Sequence, residues 1–488
     1  MAEQVRIPYP MWRVQYQLLG GDRKVWLTSI VYAVVVIFGA LMVRRLARQE
    51  PLSTICSFIV NGLTAIQCAI LVFGGANAIH RAMLRDYETK MIESHRLTPM
   101  SNYAVALGYL IGPNLQVLML FLFNLVIGAV VTAIGGFPIG AWFIANAIFL
   151  IATLTAWSAV VFSGMRPAKP IPPSWILGGI AGLTMLVVVI PGLGLMLCVY
   201  PFFLGIWIIA GKMPANQPAL LIVSFINLVF MVFWLHCAAV KYRRPDLPAL
   251  NAVRGLILLF LWLLVGSGGL AIYDYVARSS MPFLMQNDMR NVQWLATLLL
   301  SIPVALITTL GTAECRLLVS QGRAPRGWSD RVSDVAIAVL AAVLTCLILA
   351  TVAVSVWRDV LPPPSEDIDL MRLYITTWLH TLAAILLATL TARSVFLLFS
   401  RRLKLKNPLI SAWSILLLLW SAPPVIDAIR AQVVAGAYDP LAYSWLMGCS
   451  PGGTIASVWL SLGANLVPGY ALQVAILLAA HWLARSGK

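Results

Sequence analysis

The chain has 488 residues, of which 60% are hydrophobic and only 11% charged, with 17 Trp and a strongly positive mean hydropathy. A soluble domain of this length would need more charge to cover its surface, so the composition excludes an ordinary globular protein. The 34 Lys+Arg exceed the 18 Asp+Glu, but the basic residues fall in short segments between apolar runs, as in cytoplasmic loops of membrane proteins. That distribution argues against nucleic acid as a partner.

The first 24 residues carry Arg6, Arg13, Arg23 and Lys24 and no apolar core. They do not read as a cleavable signal peptide, and the first apolar run is expected to act as the insertion signal. A membrane span needs about 20 apolar residues. Candidate spans in chain order are 26–43, 54–79, 102–133, 139–163, 174–192, 217–240, 255–275, 293–313, 333–357, 373–399, 408–429 and 456–484. The expected fold is all-α: a polytopic membrane protein of about 12 helices. The expected parts are an interfacial N-terminal segment 1–25, a first six-helix half 26–241, and a second half 242–488.

Charge sets the orientation. With twelve spans and a cytoplasmic N-terminus, the inner segments hold 24 Lys+Arg and the outer ones nine. The positive-inside rule then puts both termini in the cytoplasm. Residues 193–211 follow the break at Pro191, Gly192 and Gly194 and are expected to re-enter rather than cross, because a crossing would move Lys241, Arg243 and Arg244 outside. One loop disagrees: "RRLARQEP", Arg44 to Pro51, is basic and falls outside; either it snorkels at the interface or the first hairpin is wrongly placed.

The densest charge lies in "RAMLRDYETKMIESHRLTPMS", Arg81 to Ser101. On a helix over 83–97, Leu84, Tyr87, Met91 and His95 share one face, and Asp86 and Lys90 are i,i+4 neighbours of opposite sign on the other side. Pro99 disfavours helix at Thr98 and should end it. Ser101 is placed to cap the apolar helix that follows. The expectation is a charged amphipathic helix near the membrane plane.

This region, with the apolar helix before it, resembles the permease subunits of type-2 ABC transporters. Glu88, Thr89, Glu93, Leu97, Thr98, Pro99, Met100, Ser101 and Gly108 occupy the matching places over about 40 residues. The departures are a missing Gly before Thr89, Glu-Ser-His-Arg in place of a leucine triplet, and Gly108-Tyr109 in place of Gly-Lys. "PMWRVQYQLLGGDRKVW" resembles, more weakly, the family's N-terminal interfacial helix.

The resemblance implies that 81–97 is the coupling helix. Arg81, Arg85, Glu88, Lys90, Glu93, Arg96, Thr98 and Pro99 would meet a P-loop ATPase. No GxxxxGK[ST] occurs in this chain, so the ATPase would be a separate subunit. The implied protein is a non-catalytic membrane subunit, an exporter, in the inner membrane of a bacterial cell. Its other partners are the bilayer and, as a further candidate, a second permease chain.

A basic connector, "AECRLLVSQGRAPRGWSD", follows the span 293–313 and could be a second docking segment. Two readings stay open: a degenerate 6+6 repeat, or one permease core with extra spans. The alternative function is a membrane-embedded enzyme or assembly factor acting on lipid-linked substrates. Its available carboxylates are Asp274, Asp288, Glu366, Asp367 and Asp427, and no pairing among them demands chemistry. HExxH and GxSxG are both lacking. His236, His380 and His481 fall in spans without metal-ligand spacing, and the seven cysteines read as small buried hydrophobes. No catalytic, cofactor or metal site is expected.

Overall fold

The computed structural model describes residues 11–18, 20–46, 49–93, 100–165, 218–245, 251–263, 304–321, 333–357, 368–403, scattered positions between 411 and 446, and residues 449–459 and 465–486. Among them 91% are helical and none is in a strand, so the class is all-helical. The chain divides into two compact units, Met1–Asp246 and Leu247–Lys488.

Unit 1 contains α1 (Met11–Leu18), α2 (Gly21–Leu46), α3 (Leu52–Ala69), a π-helical turn (Ile70–Gly74), α4 (Gly75–Glu88), α5 (Asn102–Ile111), α6 (Leu115–Ile134), α7 (Ile139–Gly164) and α8 (Pro218–Arg243). Unit 2 contains α9 (Ala252–Leu263), α10 (304–320), α11 (Asp334–Trp357), α12 (Ile368–Leu397, continued by a π turn Leu398–Arg402), α13 (Pro451–Trp459) and α14 (Val467–Arg485). Seven helices among the described residues are long and apolar enough to cross a membrane: Gly21–Arg45, Leu52–Glu88, Leu115–Ile134, Ile139–Gly164, Ser224–Arg243, Ile375–Arg402 and Val467–Ala484. These fit a multi-pass membrane protein.

Several boundaries differ from expectation. The run 102–133 is two helices, because Pro113 has no N–H to continue the ladder. The Asn114 side chain instead donates to the Leu110 carbonyl at 2.8 Å, and α6 starts afresh at Leu115. The run 456–484 is also divided, between α13 and α14, with Pro468 in the first turn of α14. Helix α10 passes the expected end at 313 and carries Glu314 and Arg316 to Ser320. Residues 166–217, with the expected span 174–192 and the re-entrant piece 193–211, lie outside the described residues, as do Asp274, Asp288, Glu366 and Asp367.

In unit 1 the core gathers Leu71, Ile79, Met83, Tyr109, Phe149 and Trp157. The most extensive helix pair described there is α7 with α8, and in unit 2 it is α12 with α14. Helices α7 and α12 are the most enclosed of the seven, whereas α2 and α14 expose apolar side chains along most of their length, as lipid-facing helices do.

Three buried amides tie α3, α6 and α7 together. Gln67 Nε2 donates to Asn146 Oδ1, while Asn124 Nδ2 donates to Gln67 Oε1 at 3.0 Å and to the Leu63 carbonyl at 2.9 Å. In an apolar interior such amides must pair with one another, so they fix the helix register.

Candidate coupling site

The charged stretch does not form the separate helix expected over 83–97. Helices α3 and α4 and the π turn between them make one continuous helix of 37 residues, Leu52–Glu88. At 1.5 Å per residue it is about 55 Å long, against a hydrocarbon core of about 30 Å. Its last two turns, from Arg81, therefore continue a membrane helix rather than lie beside it.

The helix ends at Glu88, ten residues before Thr98. The amide of Thr89 and its hydroxyl both bond the Arg85 carbonyl, at 2.9 and 2.8 Å. Lys90 then takes φ +57°, which an α-helix cannot continue through. A short helical piece follows over 91–93. Arg96, Thr98 and Pro99 lie outside the described residues. Ser101 caps α5 as expected, its Oγ accepting from the Ala104 amide at 3.1 Å.

The buried face also differs. Ile79, Ala82, Met83 and Asp86 face inward, while Tyr87 is exposed. Asp86 is not a surface partner of Lys90. Its carboxylate is wholly buried and accepts from Gln15 Nε2 and from the Tyr109 hydroxyl, each at 2.6 Å. Arg85 lies 3.4 Å from the same carboxylate, is 31% exposed, and donates to Gln15 Oε1 at 2.8 Å and to the Leu18 carbonyl at 3.3 Å. A buried carboxylate with three donors around it is satisfied; without them it would be costly.

These bonds fasten α1 into the corner between α4 and α5. Gly112, just past α5, admits the close approach: a side chain there would meet the Trp12 carbonyl and Gln15. Helix α1 joins α2 through Gly20 (φ +115°) and Gly21 (φ +57°), and the Tyr16 hydroxyl donates to Asp22 at 2.7 Å. Burial first, and then that bond to the carboxylate, push the Tyr16 phenol up to about 12, so it stays a donor at any physiological pH.

Of the expected docking residues, Arg81, Glu88, Lys90 and Glu93 are exposed around the helix end, and Arg85 is turned to α1. Sequence reasoning missed Gln15, Asp86 and Tyr109 as a unit. The available signal was an acidic residue three and seven positions from Met83 and Ile79 on one apolar face.

Below the charged end sits the π turn Ile70–Gly74. The Trp157 indole packs on Gly75, where any Cβ would overlap it, and donates from Nε1 to the Leu71 carbonyl at 2.9 Å. Glycine is required by that close approach, and π turns of this kind are common where helices bend or act.

Elsewhere, the Tyr103 hydroxyl pairs with His236 Nδ1 at 2.6 Å, and the Tyr470 hydroxyl with His380 Nδ1 at 3.0 Å. Asp427, one of the carboxylates available to the alternative reading, is buried and accepts from Arg430 Nε at 3.0 Å. Among the described residues no three His, Cys, Asp or Glu side chains group as metal ligands.

The fold thus defines an all-helical, multi-pass type of chain with a helix end bearing charge and braced by an N-terminal helix. Compared with known protein families, with curated proteins and with solved structures, the chain has no match.

Proposed function

We propose that this chain is the membrane-spanning permease component of an ABC exporter, a non-catalytic subunit driven by a separate P-loop ATPase. It lies in the inner membrane of a bacterial cell with both termini cytoplasmic. The observation that supports this reading best is the end of Leu52–Glu88, where Arg81, Glu88, Lys90 and Glu93 stand exposed while Asp86 anchors the same helix to α1. A motor docking on these charges gains register and specificity more than affinity.

The motion it imparts acts on one continuous helix as a lever. The helix passes unbroken into the bilayer, where the π turn beside Trp157 is the natural place to bend. Asp86 and Gln15 draw α1, and through it α2, along with the lever.

The tandem reading has support of its own. In a 6+6 numbering, α7 with α8 and α12 with α14 are each the fourth and sixth spans, and each is the most extensive described pair of its unit. Helix α10 also runs past its apolar stretch toward a basic connector, as α4 does. A single chain then supplies both halves of the permease, with the second motor contact at Glu314–Arg331.

Purification of the tagged chain from its native membrane tests the proposal. A P-loop ATPase in stoichiometric amount supports it. Repeated purification without an ATPase contradicts it.

A further inference from the structure

A cavity of about 520 Å³ opens at the hairpin between α2 and α3, lined by Leu41, Arg44, Arg45, Glu50, Leu52 and Ile55. It stands at the far end of the long helix from Arg81–Glu93, because Leu52 begins that helix and Glu88 ends it. Among the described residues, half of the lining is apolar and half is charged. Arg44, Arg45 and Glu50 are exposed, and none has an ion-pair partner among the described residues.

One arginine in the last turn of α2 is explained by the helix dipole. Two, with a carboxylate lining the same half-charged cavity, are not. Basic residues are also scarce on the outer face of membrane proteins, where this hairpin falls if Arg81–Glu93 faces the cytoplasm. Their presence asks for an anion. Glu50 narrows the choice, since a purely anionic ligand would be repelled by it.

We propose that this cavity binds a phospholipid headgroup of the phosphoethanolamine type. The phosphodiester lies between the Arg44 and Arg45 guanidinium groups, whose planar forks suit phosphate oxygens. The primary ammonium meets Glu50, to which it donates N–H bonds that a quaternary amine cannot make. The first methylenes of the acyl chains rest against Leu41, Leu52 and Ile55.

The test is native mass spectrometry of the full chain released from nanodiscs holding equal phosphatidylethanolamine, phosphatidylcholine and phosphatidylglycerol. The expected result is retained lipid enriched in phosphatidylethanolamine. The double variant Arg44→Gln/Arg45→Gln should lose that retention by about tenfold or more, as expected for two charge-assisted bonds. The variant Glu50→Gln should keep lipid but lose the preference for the ethanolamine over the choline headgroup. A headgroup-photoreactive phosphatidylethanolamine should label residues within 41–55. Equal retention by wild type and double variant, or labelling spread evenly over the lipid-facing helices, overturns the proposal. Displacement of the lipid by equimolar soluble glycerophosphoethanolamine also overturns it, because a water-soluble phosphate ester would then suffice.

Discussion

Gln15 and Asp86 stand 71 residues apart in sequence and meet through a 2.6 Å hydrogen bond, both side chains wholly buried. This bond joins the N-terminal helix to the charged end of a membrane helix, and Tyr109 and Arg85 close around the same carboxylate. Replacing Asp86 with Ala removes the acceptor from three donors. At about 1.5–3 kcal/mol for a hydrogen bond to a charged group, the loss is at least ~3 kcal/mol. Helix α1 should come free. A cysteine introduced at Trp12, in a background without native cysteines, should label faster in Asp86→Ala than in wild type, with Gln15→Ala intermediate. Equal labelling rates would show that α1 is held by packing alone.

The π turn makes a second prediction. Gly75→Ala drives a methyl into the Trp157 indole, an overpacking that costs about 1–3 kcal/mol. Trp157→Phe removes the bond to the Leu71 carbonyl, about 1 kcal/mol, and with it part of the buried ring that packs on Gly75. Thermal unfolding in detergent should place both Trp157→Phe and Gly75→Ala below wild type. In the double variant Gly75→Ala/Trp157→Ala, the alanine cost at 75 should largely vanish. An additive double variant contradicts the contact.

Lys90 gives a third. Its left-handed backbone suits glycine and resists β-branched residues, a difference of about 1–3 kcal/mol. Lys90→Gly should be at least as thermally stable as wild type and Lys90→Val clearly less so. The reverse order would mean that the helix does not stop there.

The amide network gives a fourth. A double-mutant cycle on Gln67→Ala and Asn146→Ala should return a coupling of about 0.6–1.7 kcal/mol, the range found for hydrogen bonds between membrane helices. Zero coupling would remove the network as a register device.

The helical class was legible because a run of about 20 apolar residues can lie in lipid only if its backbone polar groups pair within the run, which a helix does. The ends of α7, α8 and α11 accordingly fall within a few residues of expectation. Less was legible where local and tertiary signals compete. Apolar residues flank Gly112, Pro113 and Asn114 closely on both sides, so composition carried 102–133 across a break that the missing proline N–H imposes. The charged stretch misled in the opposite direction: charge suggested that the membrane helix ends near 79, yet residues 81–88 keep the helix because charged residues form helices well once a turn is already nucleated. Asp86 looked like a surface residue because its partners, Gln15 and Tyr109, are distant in sequence. The double glycine at 74–75 was passed over inside an apolar run, and the Trp157 ring is what explains why Gly75 must be glycine.

The central claim is that Arg81–Glu93 is where a motor subunit docks, and reversal of exposed charge there tests it most directly. Glu88→Arg/Glu93→Arg alters two exposed side chains outside the buried Asp86 cluster, so insertion and thermal stability should hold. The measurement is co-purification of the P-loop ATPase with the double variant and with wild type, in parallel with stability. The account predicts that the ATPase is lost from the double variant while the chain remains inserted and folded. Undiminished ATPase recovery with the double variant would contradict it.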